Sequence, residues 1–352
     1  MRVLVTGGAG FIGSHLCDAL QARGDEVCVV DDLSRGQVSR LAEGVDLHKG
    51  NMLNASWLSA LVEEIRPDLI CHLAAQVDVR VSVAFPGTDA EVNVVGTVNL
   101  LEAARGVGAR VIFSSTGGAL YGAHAPVPSP ETTPPAPSSP YGVAKYCAEQ
   151  YVTLYNRLFG TTHAILRLAN VYGPRQGSSG DAGVVSIFCA NNIQGRPLTV
   201  YGDGRQTRDY VYVADCVAAF LAAADYGRAG TWNIGTGMEV SVLQLAALVA
   251  QVTGDRSQPV FVPARDGELL RNALSWDLAA ADLGWRPVTS LVDGVEAVVR
   301  WYAAGAPDRT PPPWTAPRSA AVAETAAVPP VSGQPREICM SSSVRPGRAS
   351  SG

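Results

Sequence analysis

Val3-Leu4-Val5-Thr6-Gly7-Gly8-Ala9-Gly10-Phe11-Ile12-Gly13 reads as a strand, a tight turn and the start of a helix. Val3 to Val5 is a short apolar run of the buried parallel-strand type. Gly7, Gly10 and Gly13 are spaced GxxGxxG, and Ser14 to Arg23 continues as helix. The first glycine permits the turn. The second lets backbone approach a pyrophosphate, and the third lets helix and strand pack closely. Free N–H groups and the positive helix end then face phosphates. A glycine-rich turn also occurs in chains that bind no nucleotide, but here the required strand precedes it and the helix follows. A second strand, Glu26 to Val30, ends in Asp31-Asp32. An acidic residue about 20 positions beyond the glycines accepts hydrogen bonds from the adenosine ribose hydroxyls. It repels a 2′-phosphate, so the pattern favours NAD over NADP. The plainer reading of Asp31, a loop carboxylate, is weakened by its place at the strand end.

The same alternation continues outward. Val45 to His48 is a third strand, leading to Gly50-Asn51-Met52, where a polar side chain can meet an adenine edge. Ser56 to Ile65 is a helix and Asp68 to His72 a fourth strand. That strand ends in Leu73-Ala74-Ala75-Gln76, small residues suited to backbone lying against a cofactor. Asp89 to Arg105 reads as one long helix carrying Asn93 and Asn99. An inward Asn93 reaches the cofactor region, and a capped or solvated asparagine is the equal alternative. Arg110 to Phe113 is a fifth strand, followed by Ser114-Ser115-Thr116-Gly117-Gly118. Hydroxyls at the carboxyl end of a parallel strand stand where open α/β sheets bind ligands. The expected fold class is α/β, a doubly wound parallel sheet.

Next comes Pro140-Tyr141-Gly142-Val143-Ala144-Lys145. Ser139-Pro140 opens a helix that runs to Phe159, and Tyr141 and Lys145, at i and i+4, share one face. A positive charge beside a phenol favours phenolate and lowers the tyrosine pKa. The bland reading is a surface helix with an incidental Tyr and Lys. Against it, Lys49 and Lys145 are the only lysines among 27 basic residues.

Composition sets the bounds. With 352 residues, 47% of them hydrophobic, the chain buries one large α/β core or two. Its net charge of −5 and short basic runs argue against a nucleic-acid partner. No apolar stretch is long enough to span a membrane, and Met1-Arg2 runs straight into a strand with no leader pattern. Seven scattered cysteines without a CxxC read as apolar fillers in a reducing cytoplasm, with no metal set.

Taken together, TGGAGFIG at 6–13, the Asp after the second strand, HLAAQ at 72–76, NVVGTVNLLE at 93–102, SSTGGALYG at 114–122 and SPYGVAK at 139–145 resemble the extended short-chain dehydrogenase/reductase family. Within it they resemble the nucleotide-sugar 4-epimerases of the UDP-galactose 4-epimerase type, over residues 1–304. The resemblance implies a Rossmann-type NAD-binding domain over 1–175 and a smaller α/β region, mainly substrate-binding, over 176–305. It implies cofactor contacts from Gly7, Gly10, Phe11, Ile12 and Gly13, from Asp31 and Asp32, and from Asn51 and Met52. Further contacts come from Leu73, Ala74, Ala75, Gln76, Asn93 and Ser114, and from Tyr141 and Lys145. Tyr141 is the implied base at the sugar 4-hydroxyl, with Lys145 lowering its pKa and bonding the nicotinamide ribose, and Thr116 orienting the hydroxyl. Asn170 matches an asparagine that contacts the nucleotide-sugar, while Leu168 stands where the family often has Tyr. Arg208 and Arg265 match two arginines that grip the diphosphate, a task suited to a planar guanidinium fork. Val184, Arg80 and Arg175 complete the implied substrate contacts. Similar enzymes are often homodimers through the helices represented by 89–105 and 141–159.

Rival readings use particular residues. Similar dehydratases place Asp-Glu after the catalytic Thr, where this chain has Gly117-Gly118. A non-enzymatic NAD sensor has no need of Thr116, Tyr141 and Lys145 together. Similar glucuronate epimerases have Thr at the place of Asn170 and Arg at that of Gly177, so a neutral C6 is expected; an N-acetylhexosamine requires room near Asn272 and Ala273. From 306 to 352 Pro, Ala and Ser dominate without period, the composition of a disordered tail.

Overall fold

Strand β1 (Arg2–Thr6) sends Val3 and Val5 to one face of a sheet and Leu4 to the other, the two-residue alternation of any strand. All three are apolar because both faces are covered. The structure, a computed structural model, describes residues 1–178, 182–255, 258–264 and 269–309. In chain order the other strands are β2 (Glu26–Asp31), β3 (Asp46–Lys49), β4 (Leu69–His72), β5 (Arg110–Thr116), β6 (Ala164–Leu168), β7 (Asn170–Tyr172), β8 (Thr199–Tyr201), β9 (Thr207–Arg208), β10 (Tyr210–Tyr212), β11 (Gly230–Ile234), β12 (Val240–Ser241) and β13 (Val260–Val262). The helices are α1 (Phe11–Ala22), α2 (Ala55–Ile65), α3 (Val79–Ala84), α4 (Pro86–Ala90), α5 (Gly96–Val107), α6 (Pro140–Phe159), α7 (Val184–Ile193), α8 (Val213–Tyr226), α9 (Val242–Thr253), α10 (Asp277–Leu283) and α11 (Leu291–Ala303).

Seven strands form one sheet in the order β11-β6-β5-β4-β1-β2-β3, every neighbouring pair parallel. The expected Rossmann-type doubly wound sheet is what the chain builds. The strand order turns back between β1 and β4, where Thr6 lies opposite His72. Open α/β sheets bind ligands at the carboxyl ends beside such a switch point. One face is packed by Leu16 and Leu20 of α1 and Phe220 of α8. The other is packed by Leu58 of α2, Leu100 of α5 and Val152 of α6. Truncating Leu4 to Ala in this second core would cost about 2–5 kcal/mol. A third cluster joins α7, α9 and α11 around Val200, Tyr210 and Tyr212.

Two expected boundaries differ. β5 continues through Ser114 and Ser115 to Thr116 instead of ending at Phe113, because Ser114 to Thr116 pair with Leu166 to Leu168 of β6. The helix expected over 89–105 is α4 and α5 joined by a π-helical turn, Glu91–Val95. Such turns are frequent at functional sites. Helix α6 starts as its sequence requires. Ser139 caps the Gly142 N–H at 3.2 Å, Pro140 takes the first position, and Gly160 in the left-handed region ends it. Of the expected tail, 310–352 lie outside the described residues; Asp308 accepts from Ser39 at 2.5 Å and Arg309 lies 3.9 Å from Asp18. Among the described residues no helix is long and apolar enough to cross a membrane.

Candidate active site

The glycine turn has no room for side chains. Gly7 has φ +70°, and a Cβ there would stand 2.7 Å from the Ala74 nitrogen. A Cβ at Gly13 would stand 2.2 Å from the Gly7 carbonyl oxygen. The turn is therefore bare backbone leading into α1, the arrangement a pyrophosphate needs. Asp31 closes it from β2. Its Oδ2 accepts from Ala9 N–H at 3.0 Å and its Oδ1 from Leu33 N–H at 2.9 Å. Burial raises the Asp31 pKa, and those two amides offset part of the rise. Asp32 differs from its neighbour: it is exposed and accepts from Ser34 N–H, closing its own turn. Bare backbone and a buried acceptor are the donor set an adenosine diphosphate fits. Phe11 and Ile12 flank the turn, half-buried at the head of α1.

The other residues expected at the cofactor stand at neighbouring strand ends. Met52 is buried among α2 and α5 residues, and its carbonyl accepts from Asn99 at 3.0 Å. Asn51 beside it is exposed, its side chain bonded to Leu53 N–H. Leu73, Ala74, Ala75 and Gln76 are half-buried past β4. Asn93 faces inward. Its Oδ1 accepts from Gln76 N–H at 3.0 Å, and its Nδ2 donates to the Gln76 carbonyl at 2.9 Å. Within the π-helical turn, the Asn93 carbonyl accepts the Thr97 hydroxyl at 2.7 Å.

The proposed chemical centre lies between β5 and α6. The Thr116 hydroxyl accepts from Ala119 N–H at 3.2 Å and lies near Tyr141. Lys145 donates to the Ser114 carbonyl at 2.9 Å, with its ammonium 4.8 Å from the centre of the Phe113 ring. The expected lowering of the Tyr141 pKa is not what this arrangement produces. Burial pushes Tyr141 up, the Asp89 carboxylate adds to the rise, and only the Thr116 hydroxyl opposes it. Burial also brings Lys145 down to about 8, against the upward pull of Asp89 and Glu149. Desolvation penalises both charged forms, and here it outweighs the attraction expected from helical spacing.

The expected sugar-side residues are not all brought together. Asn170 is exposed at the start of β7, its N–H bonded to the Asp209 carbonyl at 2.9 Å. Arg208 is half-buried on β9 and donates to the carbonyls of Thr207 at 2.8 Å and Leu269 at 2.7 Å. Val184 is half-buried at the first position of α7. Arg265 lies outside the described residues. Arg80 forks onto Asp78 at 2.9 and 3.2 Å. Arg175 corrects the sequence reading. It has φ +66°, is 0% exposed, and pairs with Asp18 of α1 at 2.7 Å. A guanidinium enclosed in that pair is withdrawn from solvent and from a sugar.

Other residues at the site were not singled out by sequence. Gly142 packs α6 tightly: a Cβ there would stand 2.5 Å from the Ala119 carbonyl oxygen. Asp209, fully buried beside Arg208, accepts from Thr236 N–H at 2.8 Å, Gly237 N–H at 3.1 Å and Leu274 N–H at 3.1 Å. It joins three loops of the sugar side. Glu149 takes the Ser115 hydroxyl at 2.5 Å and the Arg167 guanidinium at 2.7 and 3.0 Å. Asp89 bonds Gln76 and Asn93. Its helical spacing from Asn93 was the one available signal.

Comparison with known proteins agrees with this geometry. The NAD dependent epimerase/dehydratase family matches residues 3–235. The UDP-glucose 4-epimerase of Mycolicibacterium smegmatis is 43% identical over 309 residues, covering 86% of this chain and 98% of its own length. The crystal structure of UDP-glucose 4-epimerase with UDP-glucose from Thermotoga maritima superposes with TM-score 0.85 at 43% identity, over 87% of this chain and 99% of that one. The Thermus thermophilus UDP-glucose 4-epimerase in complex with NAD gives 0.80 at 41% identity, over 85% and 98%.

Proposed function

This chain belongs to the NAD dependent epimerase/dehydratase family, and on that premise we propose that it inverts C4 of a UDP-sugar, interconverting UDP-glucose and UDP-galactose. The observation that carries the reading is the bond from Lys145 to the Ser114 carbonyl at 2.9 Å, which sets α6, with Tyr141 one turn before Lys145, against the strand end that carries Thr116. NAD would supply a reversible hydride acceptor for the sugar C4; Gly7, Gly10, Gly13 and Asp31 would hold its adenosine diphosphate half, and Gln76, Asn93, Ser114 and Lys145 would border the other. Tyr141 takes the proton of the 4-hydroxyl and gives it back. Thr116 orients that hydroxyl and relays the proton. Lys145 supplies the positive charge that favours phenolate. Arg208 and Arg265 grip the diphosphate, and Asn170 meets the nucleotide-sugar.

Several side chains support a neutral hexose. Arg80 and Arg175 are engaged by Asp78 and Asp18, and Gly177 has no side chain to offer. A C6 carboxylate buried without a partner is costly. Asn272 and Ala273 are buried, with the Asn272 amide donating to the Gly117 carbonyl at 3.3 Å, which leaves little room for an N-acetyl group. Gly117 and Gly118 carry no group for the acid–base work of dehydration. We assign the NAD-binding part to 1–175, the mainly substrate-binding part to 176–305 and a tail from 306. Exposed Val83, Phe85, Val95, Val143, Leu158 and Phe159 on α3, α6 and the segments around them support a homodimer. Cysteines that are free among the described residues suit a reducing cytoplasm.

The test is to incubate the protein separately with UDP-glucose, UDP-glucuronate and UDP-N-acetylglucosamine and follow the C4 epimers by NMR. UDP-galactose is the expected product from the first. A kcat/KM for UDP-glucuronate more than ~10-fold above that for UDP-glucose, about 1.4 kcal/mol of transition-state preference, would overturn the neutral-sugar reading.

A further inference from the structure

We propose that Asp89 is the counter-charge of the Tyr141–Lys145 pair and a positioning residue for Gln76 and Asn93. The inference rests on the epimerase reading above. Asp89, near the end of α4, is 1% exposed. Its Oδ1 accepts from Gln76 Nε2 at 2.7 Å and from Asn93 Nδ2 at 3.1 Å. Its Oδ2, also buried, has no hydrogen-bond partner among the described residues. A buried carboxylate oxygen left unsatisfied is costly, and such groups call for a functional account.

The charged groups around it narrow that account. Helix α4 packs against α3, α6 and the π-helical turn. From α3, Asp78 and Arg80 neutralise each other at 2.9 Å. From the turn, Glu91 is exposed to solvent. From α6, Glu149 is neutralised by Arg167 at 2.7 Å. His72 lies at the end of β4, between the Thr6 hydroxyl at 2.8 Å and the Thr97 hydroxyl at 3.0 Å; burial pushes it down to about 3 and keeps it neutral. Of these carboxylates Asp89 keeps an unpartnered buried oxygen among the described residues, on a helix packed against α6, which carries Tyr141 and Lys145. Burial raises its pKa, and Gln76, Lys145 and Asn93 oppose the rise.

One negative charge acts on both members of the pair with the same sign. It favours the ammonium of Lys145 and disfavours the phenolate of Tyr141, and both effects are present here. Asp89 thus keeps Lys145 charged in a dry site. It also places the proton transfers of both groups at higher pH than the packed pocket would otherwise set. Through Oδ1 it fixes Gln76 and Asn93, so the same side chain ties the cofactor border to the base.

The test compares wild type with Asp89→Asn, which keeps Oδ1 as an acceptor and removes the charge. Two readouts are taken: the pH profile of kcat/KM with UDP-glucose, and the NMR titration of Lys145 in protein labelled at lysine, assigned as the signal that Lys145→Met removes. The limb of the profile set by Lys145 and the Lys145 titration are both expected to move to acid by about 1 pH unit. Asp89→Glu retains the charge and is expected to leave both in place, even where its rate falls through displaced Gln76 and Asn93. A loss of rate in Asp89→Asn with that limb and the titration unmoved would overturn the proposal. So would equal movement in Asp89→Glu. Asp89→Ser serves as the neutral variant if Asp89→Asn does not fold. If the Lys145 titration moves as expected while wild type fails to turn over UDP-glucose, the counter-charge stands and the epimerase reading falls.

Discussion

Lys145 on α6 donates to the Ser114 carbonyl on β5 at 2.9 Å. That bond ties the helix carrying Tyr141 to the strand carrying Thr116. It also holds a lysine in a site dry enough to bring its pKa down to about 8. The ammonium is present below that value and lost above it. The Tyr141 phenolate gains with pH, so the kcat/KM of the free enzyme is expected to rise with pH and to level off as pH passes about 8. Lys145→Met is expected to remove this break and to cost at least ~100-fold in kcat, the lower end of general-base contributions. A pH–rate series on both proteins checks it.

Tyr141→Phe keeps the ring and removes the proton acceptor. The expected loss is at least ~100-fold in kcat, with NAD retained by the purified protein. Turnover near the wild-type rate would rule out Tyr141 as the base.

Asp31 accepts from Ala9 N–H in the glycine turn at 3.0 Å, and a carboxylate there repels a 2′-phosphate. Asp31→Ala is expected to weaken NAD at least ~10-fold, about 1.4 kcal/mol, and to narrow the preference over NADP. Acid release of the bound nucleotide, followed by chromatography and calorimetric titration, measures both. NADP released from the wild-type protein would contradict the assignment.

Gly142→Ala puts a methyl group 2.5 Å from the Ala119 carbonyl oxygen. The head of α6 must then move away from the 117–119 turn, at a cost of about 1–3 kcal/mol. Since Tyr141 is the preceding residue, kcat is expected to fall about tenfold or more in a protein that still folds and binds NAD. Circular dichroism and single-turnover kinetics separate these effects.

His72 gives a pH dependence of stability. Its pKa is lowered by burial from 6.5 in the unfolded chain to about 3 in the fold. Between those values the unfolded chain binds a proton that the folded one does not. Its contribution is therefore complete above pH 6.5 and is lost as pH falls toward 3. His72→Gln is expected to flatten the stability slope across that window by about 1.4 kcal/mol per pH unit, as read from urea unfolding at each pH. An unchanged slope would show that His72 titrates normally.

What the sequence determined by itself lay within single elements. Gly7, Gly10, Gly13 and Asp31 were legible because a turn and the strand beside it impose fixed spacings on the residues that meet a phosphate and a ribose. Tyr141 and Lys145 were legible because four residues make one helical turn. The tertiary structure decided the rest. Asn93 stood between an inward and a solvated reading until the π-helical turn set it against Gln76, 17 positions earlier. Arg175 follows directly on the family-like loop that carries Asn170, yet its backbone turns it under α1 to Asp18, 157 positions away. The acidity of Tyr141 is the plainest case. Its sequence neighbour offers a cation, but the packed fold removes water, the charge of Asp89 adds to that effect, and the pKa rises. Spacing along the chain determines which side chains are local neighbours. Desolvation, and pairing between distant segments, exist only once the chain has closed on itself, and at this site they outweigh the local term.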